Sequence, residues 1–299
     1  MSTAKITTYT LEDINHLIKL SKLLSYAWFR GQTKKREFLQ PTIFRQSQGR
    51  TDFELFLDNA AVKEKDILLS FQRYGYTEVG HTPRTDEHEV WLIWGQHHGL
   101  PTRLLDWTEN ILVAAFFASN NNLKEDGEIW AISPEELNRL SNIEGIAAEH
   151  HDLVRYHSSS AFMEVNKQFE STVNDIYKPE FPVAFRPRNR FNRMAAQHST
   201  FTIHPDNGPD LIEILAEKKL RLRDAAAIIR IVIPSGIKST LFQDLHPLGI
   251  NYRTLFPDLD GLSKHLLIWR DDKKFIPDNP EEGKTFSEYK HIEGRDGRR

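Results

Sequence analysis

Along the chain, apolar positions recur at two rhythms, three to four residues in some stretches and two in others, with no regular strand–helix–strand beat. Leu11, Ile14, Leu17, Ile18, Leu20, Leu23 and Leu24 form one helical stripe, predicting a helix from Thr10 to Leu24. Thr10 is its expected N-cap, with Asp13 in the first turn. "YAWFRGQ" reads as a strand ending near Gly31, and "LQPTIFR" as a second extended piece. Helical spacing returns over Thr51–Tyr74 and Asp86–His97. "EIWAIS", "FPVAFRP", "TFTIH" and "AAIIRIVIP" read as strands, "FPVAFRP" at a sheet edge. "PEELNRLSN", "DLIEILAEKKL", Ser235–Leu248 and "DLDGLSKHLLIWR" read as helices. Residues 143–180 carry Ser, His and charge clusters and suggest an insertion or lid. From Asp271 the chain turns polar and Pro-rich, as a tail would. This irregular interspersion of elements predicts an α+β fold.

The densest polar chemistry lies in "GQHHGLPTRLLDWTENILVAAFFA", Gly95–Ala118. Thr108–Ala118 is apolar on every side, so a buried helix is expected, with a polar loop over Thr102–Asp106 held rigidly before it. Asp106 or Thr108 would accept from the helix's free amides. Arg103, three residues before Asp106, is expected to brace that loop as an Arg–carboxylate pair. His97 and His98 are adjacent, so they point apart and do not readily share a metal; one acts in a site and the other is solvated. Gly31 after Arg30 would let backbone approach a ligand, and the Arg30 fork suits a phosphate. Trp28 and Trp107 are candidate stacking surfaces, against a competing role in the core. The histidines of "EHHDLVRYH" match no metal-ligand spacing, and no metal is expected.

Composition narrows the function classes. A formal net charge of -3 gives no bulk attraction to polyanions. The absence of cysteine excludes thiol catalysis and fits a cytoplasmic chain. No signal-like N-terminus is apparent, and "ILVAAFFA" falls short of the ~20 apolar residues a bilayer span needs, so no membrane is expected. Phosphate-binding loops, dinucleotide fingerprints and nucleophile elbows are missing from the sequence.

"FRG" at Phe29–Gly31, "LQPTIFR", "QHHGLPTRLLDWTENILVAAFFA", "NRFNRMAAQHSTFTIH" and "GINYRTLFPDLDGLSKHL" together resemble the FRG domain family, in family order over roughly Ser25–Leu267. The resemblance implies an FRG domain at 25–270, between the helical lead-in expected at 1–24 and the mobile tail expected at 271–299. It also implies a split antiparallel sheet surrounded by helices, like that of ADP-ribosyltransferases. NAD is then the substrate, in a toxin or phage-defence effector that transfers ADP-ribose to a protein, RNA or DNA acceptor and has a cognate antitoxin. By order in the fold, Arg30 and Gly31 match the NAD-holding strand. Thr102, Arg103, Trp107 and Thr108 match the segment beside the nicotinamide ribose. Gln197 stands where such enzymes carry a Glu, with His97, His98 and Asp106 as further catalytic candidates. The alternatives are a non-catalytic module binding nucleotide or nucleic acid, and a nuclease.

Overall fold

In a computed structural model of the chain, the residues described are 6–35, 38–45, 60–78, 83–162, 180–188, 191–206, 208, 210–217, 221–222, 225–226 and 228–269. The elements, in order, are β1 Thr7–Thr10, α1 Ile14–Leu23, β2 Trp28–Gln32, a 3-10 turn at Thr42–Phe44, α2 Ala60–Glu78 and α3 His88–His97. Next come β3 Leu104–Thr108, α4 Ile111–Ser119, β4 Gly127–Ile132, α5 Pro134–Arg139, β5 Ala147–Ala148 and α6 Asp152–Phe162. The remainder are β6 Val183–Arg186, α7 Asn192–Ala196, β7 Ser199–Ile203, α8 Leu211–Glu217, β8 Arg221–Leu222 and β9 Ala225–Ala226, then β10 Ile228–Ile233, α9 Ser235–Leu245, α10 Tyr252–Leu255 and α11 Leu259–Ile268.

Eight strands form one open mixed sheet in the order β1-β10-β4-β2-β3-β7-β6-β5, with β8 and β9 as a separate ribbon. The expected all-antiparallel sheet is corrected at both margins, where β1 pairs parallel to β10 and β5 parallel to β6. The sheet is continuous in order, but its middle is thin: β2 and β3 share one residue pair, Phe29 with Thr108. On either side of that seam the ladders are longer, five pairs from β2 to β4 and five from β3 to β7.

Alternation along the strands divides the core. Phe29, Ile129, Ala131, Ile229 and Ile231 pack with α1, α4 and α9 in one cluster. Leu104, Phe201, Ile203 and Val183 join a second cluster with α3 and α6. Trp28, Leu105, Trp107 and Trp130 belong to a third, with Leu137 of α5 and Leu211 of α8. The all-apolar α4 is buried as its sequence requires, and Gly31 allows the approach: a Cβ there would lie 1.8 Å from the Ala114 carbonyl oxygen. Gly31 thus first makes room for a helix, not a ligand.

Several sequence expectations move by a few residues for local reasons. Asp13, not Thr10, caps α1 by accepting from the His16 amide, while Thr10 lies in β1 and ties the N-terminal stretch to the sheet. Asn110, not Asp106 or Thr108, caps α4 by accepting from the Leu112 amide. The segment read as a loop is strand from Leu104, because Leu105 and Trp107 face one buried layer and Leu104 another. "LQPTIFR" contains a 3-10 turn instead of a strand. β6 pairs on both sides, with β5 and β7, and is not an edge. Residues 51–59, 163–179 and 271–299 lie outside those described, as do the parts of the expected helix, lid and tail that fall there.

Candidate active site

The seam between β2 and β3 opens into a cavity of about 350 Å³, within the ~300–1,000 Å³ typical of small-molecule sites. Its wall takes Arg30 from β2, Asp106 and Thr108 from β3, Gln96 and His97 from α3, and Arg193 and Gln197 from the α7 segment. Phe117, Phe201 and Phe256 supply apolar surface. Residues from four well-separated stretches of sequence therefore meet at the one place where the sheet is least knitted together.

The floor is charged. Arg30 Nη1 donates to the Asp106 carbonyl at 2.8 Å and lies 3.6 Å from the Asp106 carboxylate. That carboxylate is half exposed, so it remains accessible to a ligand. Its orientation is set by a relay. The Thr102 hydroxyl donates to Gln96 Oε1 at 2.6 Å, and Gln96 Nε2 donates to Asp106 Oδ2 at 2.9 Å. Thr102 is wholly buried and outside the cavity wall; it acts through Gln96, as a positioning residue.

The opposite wall is built around α7. Thr108 Oγ1 donates to the Gln197 carbonyl at 2.7 Å and accepts from the Asn110 amide, tying β3 to α7 and to the start of α4. Gln197 Nε2 donates to the Leu255 carbonyl at 3.0 Å, leaving its side-chain oxygen for other work. Arg193 pairs with Asp258 and lies over the Phe256 ring, 5.1 Å from its centroid. Its Nε is buried and unpartnered, a donor in a wall that faces the cavity. His97 stacks on Phe191 with ring centroids 4.4 Å apart and planes 4° from parallel. Burial, followed by the nearby His98 and Arg193, holds the His97 imidazole below its ordinary pKa against the opposing pull of Asp258. Its surroundings thus favour the neutral form over the charged one.

Of the sequence-derived candidates, Arg30, Gly31, His97, Asp106, Trp107, Thr108 and Gln197 line the cavity. His98 does not; it is exposed at the end of α3, beside Phe71. Trp107 is buried with its indole N–H donated to Thr202, and Trp28 lies in the third cluster away from the cavity, so neither is an open stacking platform.

Arg103 is corrected outright. It does not pair with Asp106 but sits fully buried, with Nε 2.5 Å from Glu64 and Nη1 2.5 Å from Asp206. Its backbone N–H also donates to Glu64, and Nη1 donates to the His157 carbonyl. Burial pushes the Glu64 carboxyl up despite the opposing pull of Arg103. This junction ties α2, α6 and the end of β7 to β3. Gln96, Arg193 and Phe256 are among the site residues that sequence reasoning passed over. Gln96 stood beside the noted His97 and Arg193 inside a quoted motif, but neither carries a local signal of its own.

Residues 25–127 match the FRG domain. The FRG match ends at Gly127, so it includes Arg30, Gln96, His97, Asp106 and Thr108 but not Arg193, Gln197 or Phe256. No curated protein and no solved structure matches the chain. Among the described residues, no helix is long and apolar enough to cross a membrane, and no group of three or more His, Asp or Glu side chains gathers to hold a metal ion.

Proposed function

We propose that the cleft binds NAD and that the chain is an ADP-ribosyltransferase, acting as a toxin or phage-defence effector. The observation carrying this reading is the convergence of Arg30, Asp106 and Gln197 on one cavity at the seam. Arg30 offers a planar fork to a phosphate, and the free Nε of Arg193 faces it from the other wall, two guanidinium groups for a pyrophosphate.

Cleavage of the nicotinamide–ribose bond sends the bonding pair to nicotinamide and leaves positive charge on the sugar. A fixed carboxylate beside that carbon stabilises the developing cation, as in glycoside cleavage. Asp106 is such a carboxylate, held by Gln96 and accessible from the cavity. In this scheme it replaces the Glu that the Gln197 position lacks, while the Gln197 oxygen accepts from a ribose hydroxyl. The acceptor's lone pair then forms the new bond to the anomeric carbon, and its proton passes to Asp106 or to the neutral His97.

A second reading, a module that binds nucleotide without reacting, is favoured by one observation: the Gln197 amide nitrogen is already committed to Leu255. Nicotinamide release separates the two. Purified protein with NAD labelled in the nicotinamide ring is expected to release label, and Arg30→Ala and Asp106→Asn each to lower the rate by roughly 10²–10³-fold. Saturable NAD binding without any release assigns the cleft to the module.

A further inference from the structure

The stretch from Arg186 to Arg193 reads "RPRNRFNR": four arginines, one Phe and no acid, in a chain whose net charge is -3. Its described residues lie beside the cavity. Arg186 ends β6, Phe191 stacks on the cavity-lining His97, and Arg193 is itself in the wall. Resting on the ADP-ribosyltransferase reading, we propose that the acceptor is a single-stranded nucleic acid, its phosphates held by Arg186 and Arg188 and a base set against the Phe191–His97 stack.

Three observations lead there. First, the arginines are presented and accessible: the Arg186 and Arg188 side chains are 54% and 71% exposed. Second, their positions are fixed from behind. Buried Glu149 accepts the Arg188 backbone N–H at 3.0 Å and also lies 3.4 Å from Arg188 Nε, so one carboxylate anchors both the chain and a guanidinium that stays largely exposed. Arg186 rests on Glu109, the residue that follows Thr108, which places it next to the cleft. The Arg186–Glu109 pair, exposed on both sides, is weak in water, and a strand phosphate exchanges readily for that carboxylate. Third, basic groups interleaved with an aromatic ring suit a single strand, where phosphates and unstacked bases are both available. A folded protein acceptor would use the arginines but has no base to set against the ring pair. In the transfer, a base N–H nitrogen attacks the anomeric carbon as the nicotinamide bond breaks, the bonding pair leaves with nicotinamide, and the base proton goes to Asp106.

The test uses the full chain with fluorescent single-stranded RNA and DNA oligonucleotides of mixed sequence, and NAD labelled in the adenylate part. Expected are salt-dependent binding and label on one or both strands, the two arms telling RNA from DNA. Arg186→Ala with Arg188→Ala should reduce the slope of log affinity against log salt by about 1.4, at ~0.7 per lost phosphate contact. The corresponding double Lys variant, which keeps both charges, should retain most of that slope. Nicotinamide release without oligonucleotide reports on the cleft separately. Release with label appearing only on protein, or binding insensitive to salt and to both arginines, overturns the nucleic-acid acceptor and leaves the cleft chemistry standing. No release at all removes the parent reading and this inference with it.

Discussion

Two arginines flank the same segment of β3 and have opposite surroundings. Arg103 is enclosed, its guanidinium shared between Glu64 and Asp206 with a main-chain carbonyl beside them. Arg30 leans across the seam toward one half-exposed carboxylate, with a cavity in front of it. Both come from motifs that mark a site, yet only one meets open space. The difference lies in how the charge is compensated. A guanidinium surrounded by acceptors has nothing left to offer a ligand, whereas one partnered lightly at a cavity wall can rearrange toward an anion.

Replacing Arg103 breaks the comparison most sharply. Arg103→Met leaves the Glu64 carboxyl buried without its partner, and is expected to cost roughly 3–5 kcal/mol in chemical denaturation. Adding Glu64→Met should recover most of that loss. Arg30→Ala, by contrast, removes contacts that include a main-chain hydrogen bond and a weak pair, about 1 kcal/mol for those two, with its main effect on activity.

Acid tests the enclosed side most strongly. His157 lies against Arg103, and burial, followed by that positive charge, pushes its imidazole down to about 3 from the usual 6.5. The folded value is the lower one, so the unfolded chain takes up the proton first as pH falls. The stability is intact above about pH 6.5 and is lost progressively toward pH 3. Glu64, raised by burial, works in the opposite direction and blunts the loss. A fall of up to about 3 kcal/mol is expected between pH 7 and pH 4. His157→Asn should flatten that profile, measured by urea titration at each pH.

The smallest effect sharpens the open side. Thr102→Val removes the hydroxyl that orients Gln96 and is expected to cost about 1 kcal/mol of stability. It should also lower the turnover of nicotinamide release about tenfold, as Asp106 loses its fixed orientation, while NAD binding is kept. Thr102→Ser restores the donor and should restore turnover. A Ser variant as slow as Val would remove the relay from the mechanism.

What could be read ahead of the structure follows from how local its cause is. "ILVAAFFA" and "IIRIVI" show their burial in their own composition, and α4 and β10 lie where expected. Arg30, Asp106 and Gln197 came from motif order and do share the cavity. The partner of Arg103 was misassigned because nearness in sequence suggested Asp106, whereas Glu64 is 39 residues away and Asp206 is 103. "LLDWT" looked like a loop because both of its faces are largely buried and only Asp106 is exposed, so no two-residue alternation survives. Arg193 and Phe256 join the wall through the packing of α7 against α10, a long-range event with no signature in either stretch.

With a single rung between β2 and β3, hardly any main-chain bonding resists the parting of the sheet's two halves. The Arg30 contact to the Asp106 carbonyl is a side-chain stitch across that gap. Any anion that draws the guanidinium away undoes a fastener of the scaffold as it docks, so grip on the guest and cohesion of the host become one transaction. The protein with its cleft filled is then held together partly by what it has caught.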